Sequence, residues 1–579
     1  GPPGMNWPKG EHRHAGPSRE RPGVVGHVPP AKAGGLQGLA ENLRARADLL
    51  QGDDIGAALG EPVQPTPTGG RPDSVDVRRD HSHGRQRNGY RQVVTETTPT
   101  EPSTKATPDA AEGGPSVTDD LVSTRHTLTV GSRRLRYTAS TGRVVLRKEV
   151  TEADGTFSGH RPHAVMSMTS YVVDPPKGRA PHERPVTFAF NGGPGSSSVW
   201  LHLGLLGPRR VDSGDVGALT PPPYGLLDNP ESLLAVSDLV FIDPVSTGYS
   251  RPTEGEKAKE FHGFTADIES VAELIRAWTS RNQRWLSPKF IAGESYGTTR
   301  AAALAEHLQT QRGMYLNGLI LISCALDFAR LDADADPDRA SLAFLPTYAA
   351  VAHYHGLLGD TPLESVLAEA REYAAGDYLL ALSRGSHLPS DEKQAHAERL
   401  ARLTGLSPQW LLRANLRIEH LRFFAELLRD RGLVVGRLDS RFTGPAPSGN
   451  AEIMADDPSH DAIGGSYAAA WNHYVRAELG YQSDLAYTQL SMKANEEWSF
   501  KEFEGKPVSV TSQLSRVLRA NPDLRVHVAY GYTDGATPFF GAEQVIAHLD
   551  IPAPAQDRIE HCYYPAGHMM YVHEPSRIR

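Results

Sequence analysis

Short, almost wholly apolar runs punctuate much of the chain: Val186–Phe190, Asp238–Ile242, residues 290–292, 319–322 and 526–530, and Ile559–Tyr564. Runs of this kind are the signature of strands buried on both faces. Between several of them lie helical patterns, notably residues 266–278 and 300–308. Nearer the start, Leu128, Val130, Leu135, Tyr137 and residues 144–146 predict short strands separated by glycine-containing turns, followed by a second strand group at 164–173. Strands alternating with helices predict an α/β domain with a mainly parallel sheet.

Residues 342–481 break that alternation and read as helical almost throughout. Leu363, Val366, Leu367, Ala370 and Tyr373 share one helix face, Ser407-Pro408 supplies an N-cap with proline in the first turn, and Gly432 closes the helix that carries Phe423, Phe424, Leu427 and Leu428. An inserted helical cap over the mouth of the sheet is the expectation. Residues 1–120 are rich in Pro, Gly, Ser, Thr and charge, so they predict a disordered, low-complexity tail, interrupted by one near-helical spacing at Leu36, Leu39, Leu43 and Leu50. The expected division is therefore a tail over 1–120, the first part of the core over 121–335, the cap over 336–485 and the second part of the core over 486–579.

Composition narrows the function classes. A net charge of -9 over 579 residues points to neither nucleic acid nor an anionic membrane surface, and the basic stretch at 78–91 reads as part of a solvated tail. No apolar run approaches the ~18 residues of a membrane span, and the N-terminus lacks the basic-then-apolar pattern of an export signal. A soluble, cytoplasmic protein is the expectation, with no nucleic-acid or membrane partner. Only two cysteines occur, Cys324 and Cys562, each in a strand-like run. They fit buried thiols in a reducing compartment, although one long-range pair stays open.

Chemistry concentrates at Gly293-Glu294-Ser295-Tyr296-Gly297, where an apolar strand runs into a helical stretch. This is the pattern of a nucleophile elbow, in which a strained turn lifts a serine hydroxyl clear of the sheet and the residues two before and two after it must be small. A serine nucleophile needs a base, and the base an orienting carboxylate, in chain order Ser, Asp, His. Asp534 follows the strand at 526–530, and His568 follows the strand at Ile559–Tyr564. Asp243 precedes the serine and fits that order poorly. Tyr296 should offer one backbone amide to an oxyanion, and the glycine-rich residues 191–198 after Val186–Phe190 should offer the other. A phosphate loop is excluded there, because no Gly-Lys-Ser/Thr follows and Pro194 removes an amide.

These stretches, with Leu206-Gly207-Pro208, Asp243-Pro244, Gly248-Tyr249-Ser250 and Ala566-Gly567-His568-Met569, make the chain resemble a serine carboxypeptidase of the α/β-hydrolase fold. The resemblance implies a triad of Ser295, Asp534 and His568, with the Gly193 and Tyr296 amides as oxyanion donors. It also implies that Asn191, the Gly192 amide and Glu294 hold the terminal carboxylate of a peptide substrate. A carboxyl can donate to that carboxylate only when protonated. An ion pair of Glu294 with Arg300 is the other reading of that residue. Three positions depart from the family pattern. Leu205 stands where a second glutamate is usual, which leaves nothing obvious to raise the proton affinity of Glu294. Ser196 replaces a cysteine, and Tyr532 an aspartate.

The expected activity is a serine carboxypeptidase acting through an acyl-enzyme, with no metal or cofactor required. An esterase or acyltransferase using the same triad is the alternative, motivated by Leu205, and a catalytically inactive binding module is a third reading. The histidine pairs His353/His355 and His81/His83 read as cap and tail residues rather than metal ligands. Oligomeric state is not legible.

Overall fold

The computed structural model describes residues 117–334 and 336–579. Nine strands follow one another in the main sheet: β1 Asp120–Val130, β2 Arg133–Thr151, β3 Phe157–Val173, β4 Val186–Phe190, β5 Asp238–Ile242, β6 Lys289–Ser295, β7 Gly318–Cys324, β8 Arg525–Gly531 and β9 Ile559–Tyr564. Their spatial order is β1-β2-β3-β5-β4-β6-β7-β8-β9, with the two-residue strand Arg251–Pro252 added beside β3. The pairs from β5 to β9 are parallel, and those among β1, β2, β3 and β5 are antiparallel. A mainly parallel central sheet is thus present, with an antiparallel wing at one side.

That wing differs from the expected short strands. β2 and β3 run for 19 and 17 residues, and the first described strand, β1, already starts at Asp120 rather than near His126. Around Leu135, Tyr137 and Ala139, which are buried, the intervening Arg134 and Arg136 are exposed. Polar residues on a solvated face broke the apolar pattern into pieces.

The parallel strands β4 to β8 are buried on both sides, as their composition requires. Phe188, Val240, Ile291, Leu319 and Val528 face one cluster, together with residues of α1 (Phe264–Arg281) and α2 (Tyr296–Arg312). Ala189, Phe241, Ala292, Ile320 and Ala529 face the other. Burial of a single large apolar side chain contributes about 1.5–3 kcal/mol, so these two layers dominate the stability of the sheet.

The segment between β7 and β8 carries α3 (Pro337–Tyr354), α4 (Leu363–Ala375), α5 (Asp377–Arg384), α6 (Ser390–Thr404), α7 (Pro408–Arg413), α8 (His420–Glu426) and α9 (Pro458–Ala477). Ser407 caps α7 by accepting from Trp410 N (3.2 Å), and α4 buries Val366, Leu367, Ala370 and Tyr373. The insertion is less helical than its pattern suggests. Between α8 and α9 it is mostly irregular and includes a small hairpin, Leu433–Val435 with Thr443–Pro445. α8 ends before Leu427, and Gly432, with φ 69°, closes a short 3-10 turn instead. The tail expected over 1–120, with its leucine spacing, basic stretch and His81/His83, lies outside the described residues up to 116.

Candidate active site

Ser295 ends β6 and immediately precedes α2, with φ 61° and ψ -129°. An L-residue adopts this region only under strain, and here the sheet register also slips, between Glu294 and Ser295. The glycines on either side are sterically required. A Cβ on Gly293 would lie 2.1 Å from Gly297 O, and one on Gly297 would lie 3.0 Å from Phe190 O. The expected strand, turn and helix are therefore all present, and Ser295 is half-buried at the strand tip.

Asp534 and His568 are brought together by the parallel neighbours β8 and β9. His568 Nδ1 and Asp534 Oδ2 are 2.9 Å apart, and both residues are buried. Asp534 Oδ1 accepts from the amides of Ala536 and Thr537 (2.8 Å each), and Oδ2 accepts from Thr537 Oγ1 (2.6 Å). Burial alone would push Asp534 up, but the His568 charge and these hydrogen bonds hold it below the usual aspartate value. Burial likewise opposes charging of His568, yet the Asp534 charge and hydrogen bond hold the imidazole above its ordinary value. Such a pair retains an ionised carboxylate beside a ring able to accept a proton at its other nitrogen. Among the described residues no hydrogen bond joins Ser295 Oγ to His568. The backbone of the histidine is tied to β7, two strands from β9, where Ser323 Oγ donates to His568 O (2.6 Å).

The glycine-rich loop after β4 packs directly on the elbow. A Cβ on Gly192 would lie 2.4 Å from Tyr296 N and 2.8 Å from Gly297 N, and Gly193 has φ 101°. The loop is braced by a distant segment: Ser197 N donates to Gln489 O (2.8 Å), Ser491 N to Gly195 O (2.7 Å) and Asn495 Nδ2 to Pro194 O (2.9 Å). Asp243 is structural. Its Oδ1 accepts from Ser198 N (2.9 Å) and Ser198 Oγ (2.8 Å), which fixes the far end of this loop.

Glu294 is 3 % exposed. Its Oε1 accepts from Asn191 Nδ2 and its Oε2 from the Tyr571 hydroxyl, both at 2.8 Å. Burial raises its pKa to about 7, against the opposing effects of the His568 charge and the two donors. Two expectations fall here. Arg300 does not pair with Glu294; it binds Asp267 Oδ2 (2.8 Å) and Asn191 O (2.7 Å). Nor does Leu205 leave Glu294 with an ordinary proton affinity, because desolvation raises it, with a smaller contribution from the Asp534 charge.

Sequence reasoning missed Tyr571 and Asp439. Tyr571 lies three residues after His568, yet nothing in its neighbourhood marked it as a partner of Glu294. Asp439 belongs to the irregular part of the insertion and is wedged between the acid and base loops. It accepts from Thr533 Oγ1 (3.1 Å) and from Arg441 Nη2 (2.6 Å), while the adjacent Leu438 O accepts from His568 N (2.6 Å) and Arg437 O from Gly535 N (3.0 Å). The local pattern of a turn motif could not announce the contacts to Thr533, Gly535 and His568, since these lie about a hundred positions or more along the chain. His353 and His355 each bond a backbone carbonyl, those of Thr361 and Ser440, as expected of packing residues. Cys324 and Cys562 are buried in β7 and β9, and neither is in a disulfide. Among the described residues no helix is long and apolar enough to cross a membrane.

Comparison with known proteins bears on this site. A profile of the family described as serine carboxypeptidase matches residues 171–570, a span that contains Asn191, Glu294, Ser295, Asp534 and His568. No curated protein matches the chain in sequence. Solved structures that superpose on it include a prohormone-processing carboxypeptidase from Saccharomyces cerevisiae, at 16% identity, covering 76% of this chain and 89% of that one, with a TM-score of 0.45. A proline iminopeptidase from Mycobacterium smegmatis is 13% identical, with 78% and 94% covered and a TM-score of 0.26. A thioesterase domain from the curacin biosynthetic pathway is 10% identical, with 74% and 96% covered and a TM-score of 0.26.

Proposed function

The chain belongs to the serine carboxypeptidase family of the α/β-hydrolase fold, and from that membership we propose how its own residues hydrolyse the last peptide bond of a substrate with a free C-terminus. Ser295 Oγ attacks the scissile carbonyl carbon while His568 Nε2 takes its proton. Asp534 holds the Nδ1 side of the ring at 2.9 Å and stabilises the imidazolium that forms. The oxyanion of the tetrahedral intermediate lies between the amides of Gly193 and Tyr296. His568 then protonates the departing amine, and water, deprotonated by the same ring, releases the acyl group from Ser295.

The single observation that carries exopeptidase specificity is the Glu294 carboxyl, buried beside the nucleophile with a pKa raised to about 7. Protonated, it donates to the terminal carboxylate of the peptide, alongside Asn191 and the Gly192 amide. This supports peptide substrates over simple esters, for which a carboxylate clamp has no use. The buried thiols of Cys324 and Cys562, outside any disulfide, support a reducing, cytoplasmic setting.

The test is digestion of N-blocked peptides with free or amidated C-termini. Release of C-terminal amino acids should require the free carboxylate, and Ser295→Ala should lower kcat by about 10⁴-fold or more. Equal rates on the free and amidated peptides would argue for the esterase or acyltransferase alternative.

A further inference from the structure

The strands that carry the acid and the base also hold a second group of side chains, well before their catalytic ends. β8 and β9 are parallel with His527 paired to Glu560 and Ala529 paired to Cys562. Side chains alternate along a strand, so Glu560 and Cys562, two residues apart, point to the same face, and His527 joins them from the neighbouring strand. His527 Nδ1 lies 3.0 Å from Glu560 Oε2 and 4.0 Å from Cys562 Sγ. All three donor atoms are within 4.8 Å of one another.

We propose that His527, Glu560 and Cys562 bind a divalent cation of the zinc class, which clamps β8 to β9. Tetrahedral zinc takes nitrogen, oxygen and sulfur donors at roughly 2.0–2.3 Å, which places the donors about 3.2–3.8 Å apart. The His527 to Glu560 separation needs to lengthen by a few tenths of an ångström and those to Cys562 to contract by about an ångström or less, within reach of side-chain rotation. The donor set discriminates between metals. Calcium and magnesium demand oxygen ligands, whereas an imidazole, a thiolate and one carboxylate suit zinc and its borderline neighbours. His527 and Cys562 are buried, while the Glu560 side chain is 42% exposed on the edge strand, so the cation enters from solvent past the carboxylate. On binding, the Cys562 thiol releases its proton to solvent, and the His527 to Glu560 hydrogen bond is exchanged for one bond from each residue to the metal, with the imidazole proton held on Nε2 so that Nδ1 is free to ligate. Water completes the fourth position.

The clamp is separate from the hydrolytic chemistry. It fixes the register of two strands whose C-terminal ends lead into Asp534 and His568, seven residues beyond His527 and six beyond Cys562. The readout is independent of activity. The full chain, freed of metal with a chelator, is titrated with cobalt(II). The expected result is a thiolate-to-metal charge-transfer band in the near ultraviolet with intense visible bands of a tetrahedral ion, both erased by added zinc. Because the chain has two cysteines, the band is assignable: it should persist in Cys324→Ser and vanish in Cys562→Ser. His527→Ala should weaken cobalt binding at least tenfold. The absence of a thiolate band in the unaltered chain overturns the proposal without recourse to any variant, and so does a band that survives in Cys562→Ser.

Discussion

Tyr571 donates its hydroxyl to Oε2 of Glu294 at 2.8 Å. With Asn191 holding Oε1 at the same distance, both oxygens of this buried carboxyl are bound by neutral donors. Neutral donors favour the carboxylate but do not replace the water lost on burial. Desolvation wins, and the group titrates near 7.

Cleavage should therefore lose affinity with rising pH. Above about 7, Glu294 gives up the proton it donates to the substrate carboxylate, so kcat/KM for free peptides falls and KM rises. The ascending limb belongs to His568, which must be neutral to accept the Ser295 proton, and the Asp534 charge and hydrogen bond displace that limb upward from the ordinary imidazole value. Glu294→Gln keeps a donor that cannot ionise, so its pH profile should lack the descending limb. A limb that persists unchanged in this variant would detach Glu294 from substrate binding.

Tyr571→Phe should move the descending limb to higher pH. The hydroxyl stabilises the ionised carboxylate, so removing it makes the proton harder to lose. A hydrogen bond to a charged group contributes about 1.5–3 kcal/mol, which corresponds to a displacement of about one pH unit or more. A shift to lower pH would show that the hydroxyl acts as acceptor from protonated Glu294.

Gly293→Ala should not yield a normally folded enzyme. Its Cβ would meet the backbone of Gly297 at 2.1 Å, where no flexible side chain can give way. The expected destabilisation is roughly 3 kcal/mol or more, read from denaturant midpoints, with the loss of active-site labelling by a fluorophosphonate. An alanine variant of unchanged midpoint and labelling would remove the steric account of the elbow.

Asp439→Ala should impair both stability and turnover, although Asp439 touches no reacting atom. It takes from the Arg441 guanidinium, 5 % exposed, its short bond to Asp439 and leaves it only the longer contact to Asp215 (3.4 Å), which costs about 1.5–3 kcal/mol. It also frees the Thr533 hydroxyl beside Asp534. Activity should fall mainly in kcat, and Asp439→Asn, which preserves an acceptor for Thr533, should recover part of kcat. A loss confined to KM would contradict the positioning role.

The elements legible in the sequence are those whose pattern is set locally. β4 and β5 fall at the residues where nearly unbroken apolar runs stand, and β6 to α2 follows from two glycines spaced around a serine. Asp534 and His568 were legible because each sits in the turn after a strand, in a fixed order. The wing of β1 to β3 was harder to read, since a strand with one wet face carries arginines among its core residues. The irregular stretch between α8 and α9 was hidden inside a helical neighbourhood, and its contribution to the site depends on contacts to residues far along the chain.

By itself the sequence determined the α/β alternation, the strained serine turn and the candidates for acid and base, because each depends on neighbours within a few residues. Tertiary structure alone decided the state of Glu294. The position of Leu205 suggested a carboxyl with ordinary proton affinity, and Arg300 suggested an ion pair. Packing sent Arg300 to Asp267 and enclosed Glu294 between Asn191 and Tyr571. A pKa reports the solvent and charges that surround a group in space, and those are assembled only when segments hundreds of residues apart close around it.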